Sequence, residues 1–386
     1  MIDTVLVEST PRVVQIALLA DGELVEYHVD RRGRGHHEGD VFVCRVTRVV
    51  PGLKAAFVDL GNGVSGFLPA RDAHREDGAT PDINRLVHEG QTVVVAIAKL
   101  ATAEKGPKVT RRFADHDGAV THAAARLKPP ALVQRSDQRL TRLIDRLDKA
   151  HIIVDCPAKY ARLRQRVDPE RLDYHQGVTP LFAMADIEDQ VERALTPTVD
   201  LPSGARVVFE PVRTLTAIDV DVASAGERTA DPLAVNLEAA AVIARQIRLR
   251  NIGGLIVIDF LNMTGEDKAG RLADAMRQAV ANDPAQVALV GPSRFGLIEM
   301  ARERRGDPLA GALGSAVERA ADQLVRELRR TAAHGAGTLE VRASPAVVAE
   351  FQRGSGGQDV ASWIGRRLEV EIESERADHA FLVTAL

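Results

Sequence analysis

Gly253-Gly-Leu-Ile-Val-Ile-Asp259 is an apolar run that opens on two glycines and closes on a carboxylate. Its length and branched aliphatic content read as a strand buried on both faces of a parallel sheet. In open α/β sheets ligands gather beyond the C-terminal ends of such strands, which puts Asp259 where chemistry is expected. Upstream, Ala217-Ile-Asp-Val-Asp-Val222 alternates strictly. Successive side chains point to opposite faces of a strand, so Ile218, Val220 and Val222 share one face while Asp219 and Asp221 share the other. Residues two apart lie roughly 6.5 to 7 Å from each other, close enough for both carboxylates to converge on a cation or its waters. Like charges so placed raise each other's pKa unless something positive compensates. Taken alone, the same spacing also suits turn capping or a surface salt-bridge pair.

Around these strands the chain alternates helix and strand, with helices expected near 236–250 and 266–281 and a strand near 286–290. Such alternation, which begins near residue 114, predicts a layered α/β unit. The N-terminal part differs. Val13 to Leu19 and Glu23 to His28 form a hairpin pattern turning at Ala20-Asp21-Gly22. Short apolar strands then follow at 40–50, 55–59, 66–68 and 91–100, separated by Pro51-Gly52 and Gly61-Asn62-Gly63, and predict a small inserted barrel of the OB type. Near the C-terminal end, Ser315-Ala-Val-Glu318 is a capping box that opens a helix to about Ala332, and 308–314 reads as a linker before it.

At 386 residues the chain exceeds one ordinary core, and 45% hydrophobic with 27% charged residues predicts folded domains throughout. A net charge of −4 gives no long-range attraction to polyanions, so any nucleic-acid site must be local. The basic clusters available are Arg31/Arg32/Arg34, Lys105/Lys108/Arg111/Arg112, Arg162/Arg164/Arg166 and Arg302/Arg304/Arg305, each of which also fits a solvated face. No apolar run approaches the roughly 18 residues of a membrane span, and a cytoplasmic location without membrane partners is expected. Cys44 and Cys156 are isolated, which predicts buried small residues rather than a disulfide or a zinc site. The histidines lack metal-site spacing, and Trp363 reads as core.

With the acids in place, the chain resembles the bacterial ribonuclease E and ribonuclease G family. Leu215-Thr-Ala-Ile-Asp-Val-Asp221, Asn236-Leu-Glu-Ala, Ile243 through Phe260, and Ser293-Arg-Phe-Gly-Leu-Ile-Glu-Met300 carry the match. The resemblance implies a multidomain α/β chain. Its parts are an RNase H-like domain at 1–36 and 113–212, an inserted S1-type OB barrel at 37–112, a DNase I-like catalytic domain at 213–307, a linker at 308–314 and a small C-terminal α/β domain at 315–386. It further implies a magnesium-dependent endoribonuclease, with manganese as a substitute, that activates water to cut single-stranded RNA into 5′-phosphate and 3′-hydroxyl ends. A role in ribosomal RNA maturation or messenger decay goes with it. Asp219 and Asp259 match the metal-binding aspartates, and Asp221 stands beside them. Phe57 and Phe67 match aromatics of the barrel surface, where stacking holds single strands. Lys105 and Lys108 fall near an RNA-contacting lysine, Arg294 is a further candidate for RNA contact, and Arg248 and Arg250, two apart and so not on one helical face, divide between an RNA phosphate and a structural carboxylate.

Three departures qualify the resemblance. Asp221 replaces the family's asparagine, and Asn262 replaces an acid common there. The segment between about Arg112 and Pro129 is short and lacks the Arg-Thr dipeptide and loop that sense a 5′-monophosphate. Between Arg305 and Ser315 the zinc-linking cysteines are missing, so no zinc is expected and a homodimer would rest on other contacts. Two rival readings follow: a catalytically weakened RNA-binding or ribosome-associated relative, and a nuclease for DNA or another phosphodiester.

Overall fold

The computed structural model describes residues 1–31, 38–74, 79–100, 106–113, 115, 118–134, 136, 138–177, 179–222, 231–353 and 356–386. The chain forms two compact units, Arg34–Asp148 and a larger one made of Met1–Gly33 and Lys149–Leu386. The larger unit begins with an antiparallel meander, β1 (Thr4–Ser9), β2 (Val13–Ala20) and β3 (Glu23–Arg31). The expected hairpin turn forms at Asp21-Gly22 with φ of 52° and 79°, the left-handed pair that follows strand twist.

The smaller unit contains the expected barrel. Its strands are β4 (Val41–Val50), β5 (Ala55–Asp59), β6 (Ser65–Pro69), β7 (Thr92–Lys99) and β8 (Lys108–Thr110). β4 pairs with both β5 and β7, and β6 pairs in parallel with β8, so the ring closes in the order β4-β5-β6-β8-β7. Closure leaves these strands without the open edges of a flat sheet, and Val46, Val58, Leu68, Val95 and Val109 fill the interior. β9 (Ala131–Gln134) adds to the first residues of β4.

In the larger unit, β10 (His151–Val154) and β11 (Leu172–Tyr174) lie parallel to β1 and complete a five-stranded mixed sheet, β11-β10-β1-β2-β3. A second sheet holds β12 (Thr198–Asp200), β13 (Ala205–Pro211), β14 (Leu215–Val222), β15 (Gly254–Asp259), β16 (Val287–Val290) and β17 (Ile298–Arg302). Their order is β12-β13-β14-β15-β17-β16, in which β14 and β15 alone run parallel, joined by the long helix Pro232–Leu249. That helix and Glu266–Val280 cover one face, burying Ile218, Val220, Ile243, Ile247, Ile256, Ile258 and Met276 in one core. Among the described residues the opposite face has no such cover. Residues 253–259 are therefore not buried on both faces as expected: Ile256 and Ile258 are, but Leu255 is 59% exposed. The glycines before them serve close approach, since a Cβ on Gly254, at φ 99°, would stand 2.8 Å from the Arg304 guanidinium.

The last sheet is β19-β18-β20, from β18 (Leu339–Ala343), β19 (Leu368–Ile372) and β20 (Phe381–Ala385). The capping box at Ser315 and Glu318 forms and opens the helix Ala316–Ala332. Within 308–314 a short helix, Leu309–Leu313, buries both its leucines against Leu24 and Val29 of β3. Trp363 departs from the expected core placement: it is 37% exposed, with the Arg329 guanidinium 5.4 Å from its ring. Cys44 is buried as expected, whereas Cys156 is half-buried beside the helix Pro157–Leu163.

A polar seam joins the first sheet to this C-terminal helix. Asp322 accepts from Arg12 and Arg31, and Arg326 pairs with Glu188 at 2.6 Å. Glu8 lies in the seam almost fully buried, one oxygen accepting the Phe182 N–H at 3.0 Å and the other unpartnered. Burial pushes its carboxyl up to about 7, against the pull of Arg326. The native state thus holds a proton between pH 4.5 and 7 that the unfolded chain releases. This group's stabilising contribution is full below about pH 4.5 and is lost as pH rises toward 7, by about 3 kcal/mol. Urea midpoints should accordingly decline less over this window in Glu8→Gln than in the parent; identical pH profiles would refute the assignment.

Candidate functional site

The parallel pairing of β14 with β15 sets Asp219 directly opposite Asp259. Strands so paired lie about 4.8 Å apart, and both carboxylates are exposed at the C-terminal end of the ladder. Partial burial, followed by the neighbouring carboxylates of Asp259 and Asp221, pushes Asp219 above the usual aspartate range. A carboxylate in that setting is relieved by a nearby cation.

Asp221 is on the same exposed face, one pleat beyond Asp219, as the alternation predicted. Its Oδ1 accepts the Val222 N–H at 2.7 Å, and its cross-strand neighbour on β13 is Arg206. Arg206 in turn pairs with Asp200 on β12 at 3.0 Å. The acids thus divide into an opposed pair and a third with a cation as its lateral neighbour. Among the described residues, no three His, Cys, Asp or Glu side chains form a group that could hold a metal ion. The donor set nonetheless suits magnesium, which takes one or two protein carboxylates and completes its shell with water and phosphate oxygens.

Asn236 is one residue whose role the sequence did not announce. It is fully buried in the helix Pro232–Leu249 and grips the backbone just past Asp259, donating to Leu261 C=O at 2.8 Å and accepting from Leu261 N–H at 3.0 Å. An amide among Val235, Ala239, Ala240 and Ile243 was its signal, because a buried polar side chain needs partners.

Of the two roles open to Arg248 and Arg250, the structure shows the structural one. Arg248 donates to Glu26 of β3 at 2.8 Å, and Arg250 is buried, donating to Gln246 at 2.8 Å and Thr196 C=O at 2.7 Å over the Phe209 ring. Both guanidinium groups brace the fold, so neither is kept as an RNA contact. Arg302 is likewise internal, clasping Asp283 through two 2.9 Å bonds. Arg294 is exposed, in the turn between β16 and β17.

On the barrel, one row crosses four strands. Arg48 lies opposite Phe57, Phe57 opposite Phe67, and Phe67 opposite Lys108. The two half-buried rings meet edge to face at 5.7 Å, with the Arg48 guanidinium 5.3 Å from the centre of Phe57. Lys108 joins the row with its ammonium 2.7 Å from Asp72. Lys105 lies outside the described residues. Rings flanked by cations suit the faces and phosphates of a single strand.

Residues 88–305 match the model of the ribonuclease E/G family, and residues 36–112 match the S1 RNA binding domain. The chain is 28% identical to ribonuclease G of Escherichia coli strain K12, with 95% of this chain and 96% of the relative covered. It is 26% identical to ribonuclease G of Haemophilus influenzae at the same coverage, and 28% identical to ribonuclease E of that organism over 75% of this chain and 40% of the relative. The first alignment runs over 472 positions against 386 residues here, so the relative carries residues this chain lacks.

Proposed function

Because the chain belongs to the ribonuclease E/G family, we propose that it is an endoribonuclease that cuts single-stranded RNA at the Asp219–Asp259 pair, leaving 5′-phosphate and 3′-hydroxyl ends. The observation that carries this reading is the register of β14 and β15, which sets the two carboxylates side by side. Asp219 and Asp259 would hold magnesium, or manganese in its place. The ion would supply positive charge against that developing on the scissile phosphodiester. Asn236 keeps Asp259 in position through Leu261, while Arg206 offsets the additional charge of Asp221. On the barrel, Phe57 and Phe67 stack bases beside the cations of Arg48 and Lys108. In the same reading the mixed sheet β11-β10-β1-β2-β3 is the RNase H-like part and the sheet containing the acids is the DNase I-like part.

The experiment that tests this offers matched unstructured RNA and DNA oligonucleotides with magnesium, manganese or a chelator. Metal-dependent cleavage of RNA alone is the expected result. Binding without cleavage would favour a purely RNA-binding role, and cleavage of DNA would favour a general phosphodiesterase.

The reading also excludes a 5′-end sensor. Among the described residues, the helix Ala119–Ala125 is the one element between β8 and β9, and the short sequence from about Arg112 to Pro129 supports this reading. Substrates with 5′-monophosphate and 5′-hydroxyl ends should be cut at similar rates. A preference of tenfold or more for the former, about 1.4 kcal/mol, would contradict this.

A further inference from the structure

Phe295 is 88% exposed, whereas the other phenylalanines of the chain are buried or half-buried. It occupies a tight turn between β16 and β17. Ser293 C=O accepts the Gly296 N–H at 2.9 Å, Ser293 N–H donates to Leu297 C=O at 2.8 Å, and the Phe295 N–H leans on the Ser293 hydroxyl at 3.3 Å. Gly296 closes the turn at φ 84°, a conformation that favours glycine. The ring is therefore held out by a defined backbone rather than by a loose loop.

The position of the turn gives it meaning. β17 runs antiparallel to β15 with Ile298 opposite Ile258, so the chain entering β17 passes the end of β15 that bears Asp259. Arg294, also exposed, precedes Phe295 in the same turn. A phenyl group gains nothing from water, and an isolated exposed ring next to an acid pair suits a flat apolar partner. Bases of single-stranded RNA present such faces, and stacking on an aromatic ring tolerates any sequence.

Resting on the ribonuclease reading, we propose that Phe295 stacks on a base of the single-stranded RNA beside the Asp219–Asp259 pair and so sets the strand for cleavage. It is a substrate-holding residue within the catalytic region, separate from the aromatic row of the barrel.

The test measures kcat/KM for parent, Phe295→Ala, Phe295→Leu and Phe295→Trp on an unstructured RNA and on a set of the same RNA with one abasic site at each position in turn. Loss of one stacked base is worth about 5- to 100-fold, so Phe295→Ala and Phe295→Leu should fall by that factor while Phe295→Trp stays near the parent. One abasic position should cost the parent a similar factor and cost Phe295→Ala nothing more. Equal rates for parent and Phe295→Ala, or an abasic penalty that persists undiminished in Phe295→Ala at every position, would overturn the proposal. Unfolding midpoints should coincide, since an exposed ring holds no core together. RNA affinity measured in Asp259→Asn protein separates the two readings. If the parent fails to cleave but Phe295→Ala still weakens that affinity, the cleavage reading falls and the stacking stands. If the parent does not bind RNA at all, both fall.

Discussion

Asp259→Asn should reduce magnesium-dependent cleavage of an unstructured RNA on the order of a thousandfold. A metal's stabilisation of transition-state charge is worth several kcal/mol, and each 1.36 kcal/mol is tenfold in rate. Asp219→Asn should match it, because the two carboxylates face each other across one parallel register. Asp221→Asn should change the rate far less, within about tenfold, since it lies one pleat away beside Arg206. Neither of the large losses should come from unfolding. Both aspartates are exposed, and neutralising Asp219 relieves repulsion from Asp259 and Asp221. Cleavage assays paired with thermal melts check both points; an Asp259→Asn protein that cleaves like the parent would remove the site.

Asp283→Ala should destabilise the larger unit by about 3 to 5 kcal/mol. Its ion pair with Arg302 is almost dry, with side-chain exposures of 4% and 2%, and is bonded twice at 2.9 Å. Removing one partner leaves a buried charge uncompensated, whereas replacing both with apolar groups is often neutral or stabilising. Arg302 also donates to Ile252 C=O at 2.9 Å and sits opposite Gly254 of β15 and Val287 of β16. It therefore pins the start of β15 and the two strands whose far turn carries Arg294 and Phe295. Urea unfolding of Asp283→Ala against Asp283→Leu/Arg302→Met tests this. A single change costing less than about 1 kcal/mol would place the pair among ordinary surface contacts.

Local periodicity exposed much of this molecule. The alternation at 217–222 places Asp219 and Asp221 on one exposed face, and the capping box at Ser315 forms as read. What remained hidden depends on non-local pairing. The opposition of Asp219 and Asp259 follows from the register of strands separated by a long helix, which no local pattern encodes. Leu255 misled because a strand covered on one face can carry the same aliphatic run as one covered on two. Arg248 and Arg250 were left between two roles for a related reason: whether a guanidinium meets solvent or Glu26 depends on which sheet edge its helix docks against. Arg206 and Arg48 were missed because an arginine on a strand looks like any solvated residue until its cross-strand neighbour is known.

The insertion of residues 34–148 between β3 and β10 dictates an order of events as the chain leaves the ribosome. β1, β2 and β3 emerge first, yet the edge of β1 is paired by β10, which begins at His151. All five barrel strands are made within that interval, and their ring needs nothing from outside it. The first sheet made is consequently the later one to be completed, and the unpaired edge of β1 is the one that must be kept from wrong partners during synthesis.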